Sequence, residues 1–223
     1  MALASSLEDA LDLRGANEEY EHALALAPGN VGVLMGYAAF AVSMGHIDAG
    51  LAAARRAVTL DPLSRWSHFS LTDTLRAARR YDEAILAYQD AAALSPGDPK
   101  PAILGLIYYS LGDYQKARSL CESATLLQFR LGCLAMTYDK LGLRTDARAM
   151  LAKLQTELGD TNAYLYAQIY AQWGDASRAL EWLETAMRLR EPDLSTLKVN
   201  SRLDPLRKEP RFQAIERALR FPE

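Results

Sequence analysis

Three helix-forming stretches of this chain end in the same way. "ALALAP" closes at Pro28, "AVTLDP" at Pro62 and "AAALSP" at Pro96, so the prolines stand 34 residues apart. A fixed period of that length marks stacked supersecondary units, each burying its apolar face on its neighbours rather than around one central core. Proline suits the boundary. It supplies no interior backbone donor, and it drives the residue before it out of helical geometry.

Aligned on the prolines, "GANEEYEHALALAP" (15–28), "DAGLAAARRAVTLDP" (48–62) and "DEAILAYQDAAALSP" (82–96) place small residues at Ala16, Gly50 and Ala84, and again at Ala23, Ala57 and Ala91. Upstream of each lies another amphipathic stretch, such as "SHFSLTDTLRAA" or "AILGLIYYSLG", followed by a short turn. The pattern continues without proline: Gly105 stands twelve residues before Ala117, Ala135 twelve before Ala147, and Ala167 twelve before Ala179. Gly45, Gly112, Gly142 and Gly174 each fall five residues before the second small position. Two helices approach closely only where small side chains allow it, with larger residues interdigitating on either side. Each unit therefore reads as a helical hairpin, with Gly105 facing Ala117 inside one of them.

A 34-residue hairpin with small residues at these offsets, an aromatic at Tyr20 and Tyr88, and closing prolines resembles the tetratricopeptide repeat. The resemblance covers nearly the whole chain, as a half unit at 1–30 with a residual first helix at about Leu3–Leu13, full units at about 31–64, 65–97, 98–127, 128–159 and 160–192, and a C-terminal cap at 193–223. Cys121, Leu151 and Leu183 replace the family aromatic in the later units, and Leu34, His68 and Ala102 stand where its tryptophan would be. The resemblance implies an all-α fold, a right-handed superhelical solenoid of hairpins ending in a capping helix. The tail "LDPLRKEPRF" (203–212) also resembles the ending of tetratricopeptide regions at the C-terminus of bacterial signalling proteins, including class III adenylate cyclases, winged-helix regulators and Ser/Thr kinases. By that resemblance the chain is a detached regulatory portion, and its start within a repeat agrees. The last hairpin needs covering, and Leu203, Leu206, Phe212, Ile215 and Leu219 are spaced to do so while Arg211, Arg217 and Arg220 stay wet.

Of the 223 residues, half are hydrophobic, and the net charge is −3, as expected for a folded chain with ample apolar surface to bury. No apolar run has the roughly 18 residues a membrane span requires, and "MALASSLEDALDLRG" has no basic leader before an apolar core, so neither membrane insertion nor a signal peptide is expected. A cytoplasmic location follows, or a periplasmic one if the parent carries a membrane span upstream. Cys121 and Cys133 lie in apolar helical stretches and read as reduced core fillers. Lys and Arg are scattered, which gives no footprint for nucleic acid.

Catalytic signatures are missing from the sequence. His22, His46 and His68 show no HExxH spacing. "PGNVGVLMG" fits neither GxGxxG nor a phosphate loop, and "AVSMGH" around Ser43 lacks the first glycine of a nucleophile elbow. Glu18, Glu19 and Glu21 point in different directions on one helix and make a solvated face. The chain is expected to be no enzyme and to need no cofactor or metal.

In tetratricopeptide proteins the first helix of each unit lines the concave side. By repeat register that lining is Met35, Ala39, Trp66, Phe69, Asp73 and Ile103, continued by Leu106, Tyr109, Phe129, Met136, Asp139, Tyr164 and Gln168. The face is apolar and aromatic, the kind of surface that receives a protein or peptide, an upstream domain of the same parent or a second copy of the chain. The carboxylate clamp of chaperone-tail binders is not expected, because Met35, Ala39, Phe69, Ile103 and Phe129 replace its Lys, Asn and Arg. The expected function is a protein-interaction scaffold serving as the regulatory C-terminal region of an adenylate-cyclase-like parent, with homo-oligomerisation as the rival reading.

Overall fold

A computed structural model describes residues 1–96 and 100–222; the expected unit boundary at 97 and 98 lies outside them. Among the described residues the regular structure is all helical, with no strand. The helices pair in sequence: α1 (Ala2–Asp9) with α2 (Leu13–Leu26), α3 (Val31–Ser43) with α4 (Ile47–Leu60), α5 (Arg65–Ala77) with α6 (Tyr81–Ala93), α7 (Pro101–Leu111) with α8 (Tyr114–Glu122), α9 (Leu127–Lys140) with α10 (Arg144–Leu158), and α11 (Ala163–Gln172) with α12 (Ala176–Leu189). A short 3-10 turn, η1 (Gly159–Asn162), precedes α11, and the tail forms η2 (Pro192–Thr196), η3 (Ser201–Leu206) and α13 (Pro210–Ala218). The half unit expected over 1–30 is a whole hairpin, because the eight-residue α1 packs on α2.

The turn inside each hairpin is built one way. A residue with positive φ follows the first helix at Leu11, Gly45, Arg79, Gly112, Gly142 and Gly174. The next N–H then reaches back five residues, from Asp12 to the Leu7 carbonyl at 2.8 Å, from Arg80 to Leu75 at 2.8 Å and from Asp175 to Tyr170 at 3.0 Å, with the same bond in the other three turns. This is the Schellman ending, which satisfies carbonyls orphaned at the helix terminus. Glycine is the natural occupant of the left-handed position, so the sequence reveals four of these turns; Leu11 and Arg79 adopt it against their intrinsic preference. Asp12, Asp113 and Asp175 then cap the second helices by accepting from the N–H groups of Gly15, Lys116 and Arg178.

Small residues set the hairpin register. A Cβ on Gly50 would lie 2.5 Å from Val42 Cγ2 and 2.8 Å from the Ala38 carbonyl oxygen, and one on Gly105 would lie 2.7 Å from Cys121 Sγ and 3.4 Å from the Ala117 carbonyl oxygen. Ala16, Ala38, Ala57, Ala84, Ala91, Ala117, Ala135, Ala167 and Ala179 are each completely buried. Cys121 and Cys133, expected as separate thiols, form a disulfide with their Cα atoms 5.9 Å apart. The physical reason is that the α8–α9 turn brings both cysteines into the same buried layer, beside Leu134.

The chain divides into two compact units. Unit 1 gathers residues 1–96, 192–200 and 216–222; unit 2 gathers 100–191 and 201–215. In unit 1, Ala4, Leu13, Tyr20, Phe40 and Met44 form a cluster with Phe221 packed against it, and the Lys198 ammonium donates to the Met44 carbonyl at 2.8 Å. Where the sequence suggests a single cap on the last hairpin, the tail is therefore split. Leu203, Leu206, Phe212 and Ile215 are buried in unit 2 and Leu219 in unit 1, while Arg211, Arg217 and Arg220 are exposed.

Candidate protein-binding site

In unit 1 the face carried by the first helices α3 and α5 is open at one aromatic. Trp66 is 50% exposed, with the Arg65 guanidinium 4.4 Å over its ring and the Phe69 ring 6.2 Å away. Arg65 is itself held by a 2.7 Å bond to Ser95 Oγ. Ser64 caps the start of α5 by accepting from the Ser67 N–H, which fixes where Trp66 leaves the backbone. Phe69 is buried and meets the Tyr88 ring edge-on at 6.2 Å, so it joins α5 to α6. Met35 is half-buried against the cluster of Leu34, Ala38 and Ala57, whereas Ala39 is exposed. Asp73 is half-buried and accepts from Arg76 Nε at 3.2 Å.

In unit 2 the corresponding face differs. Ile103 and Leu106 are half-buried, Leu106 lying against the disulfide layer, and Phe129 is 49% exposed. Tyr109, Met136, Tyr164 and Gln168 are buried. Tyr109 donates its hydroxyl to Gln172 Oε1 at 2.8 Å, which ties α7 to α11, and burial raises its pKa above the ordinary tyrosine range. The Glu191 carboxylate caps α11, accepting from the Ala163 and Tyr164 N–H groups at 2.8 and 3.0 Å. Lys140 donates to the Gln172 carbonyl at 2.7 Å, and the Trp173 indole donates to the Ala135 carbonyl at 3.0 Å, fixing α11 against α9.

The tail supplies the rest. η3 packs mainly on α11 and less on α12, burying Leu203 and Leu206, and Gln172 Nε2 donates to the Arg202 carbonyl at 2.7 Å. Sequence reasoning ended this face at Gln168 and missed Gln172, one helical turn further on; helical spacing would have found it. The 30-residue separation between Gln172 and Arg202 is what the repeat pattern could not foretell.

Residues 1–128, more than half the chain, match the profile described as the Cilia and flagella-associated protein 70 middle TPR-like domain, and residues 161–193 match the tetratricopeptide repeat. The chain belongs to the tetratricopeptide-repeat family. Among solved structures, this tetratricopeptide chain is similar to PilW, a type IV pilus biogenesis factor, at 21% identity and a TM-score of 0.62, covering 92% of this chain and 95% of that one. It is similar to pilF of Pseudomonas aeruginosa at 16% identity and a TM-score of 0.58, covering 88% and 93%, and to a tetratricopeptide repeat protein from Parabacteroides merdae at 15% and 0.55, covering 98% and 90%. At these identities the likeness speaks for the fold. No curated protein sequence matches significantly. Tetratricopeptide arrays are protein-interaction scaffolds, and this chain is one. No helix among the described residues is long and apolar enough to cross a membrane.

Proposed function

We propose that this scaffold holds a protein or peptide on its first-helix faces and acts as the regulatory C-terminal region of a bacterial signalling protein with an adenylate-cyclase-like parent. The observation that carries the binding reading is Trp66, a large aromatic left half exposed on α5 and framed by Arg65 and the buried Phe69. Aromatic anchors of this kind supply much of the energy of protein interfaces. Phe129 on α9 is a second exposed anchor. The parent is read from the "LDPLRKEPRF" tail (203–212). Location follows the parent: cytoplasmic, or periplasmic if a membrane span lies upstream, an oxidising compartment in which the Cys121–Cys133 disulfide persists.

The test uses the full chain and its Trp66→Ala, Phe129→Ala double variant against the catalytic domain encoded beside it. Wild type should capture that domain, and the double variant should bind at least about tenfold more weakly, which corresponds to about 1.4 kcal/mol, with a melting temperature no more than a few degrees lower. Equal capture by both would remove the anchors from the function. A complex between two copies of the chain in place of the domain would establish self-association instead.

A further inference from the structure

We propose that the α11 part of the first-helix face of unit 2 is a peptide-binding surface that the chain closes with its own tail. When open, it accepts a peptide of the same chemistry: two leucines three residues apart on one helical turn, gripped through a main-chain carbonyl. The proposal rests on the scaffold reading above and adds an occupant for one part of it.

The grip is of the kind a repeat scaffold applies to a peptide. Gln172 holds a backbone carbonyl, that of Arg202, at 2.7 Å, so this bond does not depend on the identity of the tail side chain. Gln172 is itself aimed by the Tyr109 hydroxyl at 2.8 Å, which makes a relay from α7 through α11 to the tail. Specificity then comes from Leu203 and Leu206, both completely buried, which η3 turns toward the same side because residues three apart eclipse on a 3-10 helix. Asp204 and Arg207 pair at 3.0 Å while still about one-third exposed, so the turn is amphipathic. Pro205 lies inside η3 and lacks an N–H, which keeps the segment from becoming a longer helix with a fuller set of backbone bonds.

The occupant leaves one demand unmet. Gln168 lies one turn before Gln172 on α11, is 4% exposed, and has its Oε1 buried without a hydrogen-bond partner among the described residues. A buried acceptor left unpaired is costly, and a ligand presenting an N–H there gains a bond that the tail does not make. A peptide is thereby able to compete with a tail that has the advantage of being tethered.

The experiment uses the full chain with Leu203→Asp and Leu206→Asp, and a fluorescein-labelled peptide of sequence VNSRLDPLRKE, residues 199–209. Two carboxylates cannot enter the apolar seat, so the tail should leave it. Expected results are a helical signal and cooperative melting like wild type, cleavage by trypsin after Arg202 or Arg207 at least tenfold faster, and peptide binding at least tenfold tighter than to wild type. Adding Gln172→Ala should weaken peptide capture again. Loss of cooperative melting would show that η3 is core and overturn the proposal, as would a released tail with no gain in peptide binding. Independently of any variant, hydrogen exchange of wild type should show the 201–206 amides opening at least tenfold faster than those of α11; exchange only through global unfolding would contradict it. Failure here leaves the Trp66 and Phe129 result untouched, so the two readings fall separately.

Discussion

Units 1 and 2 are built from the same hairpin, yet their first-helix faces meet different ends. In unit 1, α5 turns Trp66 half out of the surface over a buried Phe69. In unit 2, Tyr109, Met136, Tyr164 and Gln168 are buried, and η3 packs on α11 under a grip from Gln172. The repeat dictates which residues share a face, but not whether that face stays wet. That second outcome depends on where the non-repeat tail lies: η3 packs on α11 in unit 2, whereas in unit 1 the tail element η2 packs on α1 and leaves Trp66 on α5 exposed.

The comparison breaks most easily at its two neighbouring aromatics. Phe69→Ala should destabilise the protein by about 3–5 kcal/mol, as removal of a buried aromatic does, whereas Trp66→Ala, three residues away, should cost only about 1 kcal/mol through its lost ring contacts. Chemical denaturation of both variants checks this; equal losses would mean that Trp66 is a packing residue and that unit 1 has no open anchor.

A smaller effect sharpens the shared part. Gly50→Leu in unit 1 and Gly105→Leu in unit 2 should each cost about 1–3 kcal/mol by overpacking, because a side chain at either site meets the partner helix within 3 Å. An unchanged melting temperature for either variant would show that the two units do not use one register.

The smallest effect concerns the turns. Arg79 is exposed and holds φ at +61°, where Gly45, Gly112, Gly142 and Gly174 serve the other hairpins. Arg79→Gly relieves a left-handed penalty of about 1–2 kcal/mol and adds roughly 0.5–1 kcal/mol of backbone entropy loss, leaving a gain of about 0–1.5 kcal/mol. Thermal melting should show a rise of a few degrees at most; a fall would mean that Arg79 contributes more through its side chain than its backbone costs.

The hairpins were legible because the signals that make them are local and repeated: a proline stop, a glycine turn, and small residues twelve apart. Leu11 and Arg79 hid two of the turns, since neither residue type announces a left-handed conformation, and with Leu11 the completeness of the first hairpin was hidden too. The cysteine pair was missed because residues twelve apart on successive helices look like separate core fillers until the turn between α8 and α9 is known. On the candidate faces, helical periodicity placed Tyr164 and Gln168 on one side of α11 but could not say that they are buried. The segment that packs on α11 is η3, with Leu203 and Leu206 far along the chain, whose spacing signalled burial without naming the helix that receives them.

The central claim is that Trp66 on α5 is open while the face of α11 is filled by η3 in the same free chain. Hydroxyl-radical footprinting of the full-length protein, read residue by residue by mass spectrometry, tests both halves in one sample. The account predicts rapid labelling of Trp66 and Phe129 together with protection of Tyr109, Tyr164, Leu203 and Leu206, the protection being lost on denaturation. Labelling of Tyr164 and Leu203 at rates close to that of Trp66 would contradict it, because the tail would then not lie on α11 and the two faces would not differ.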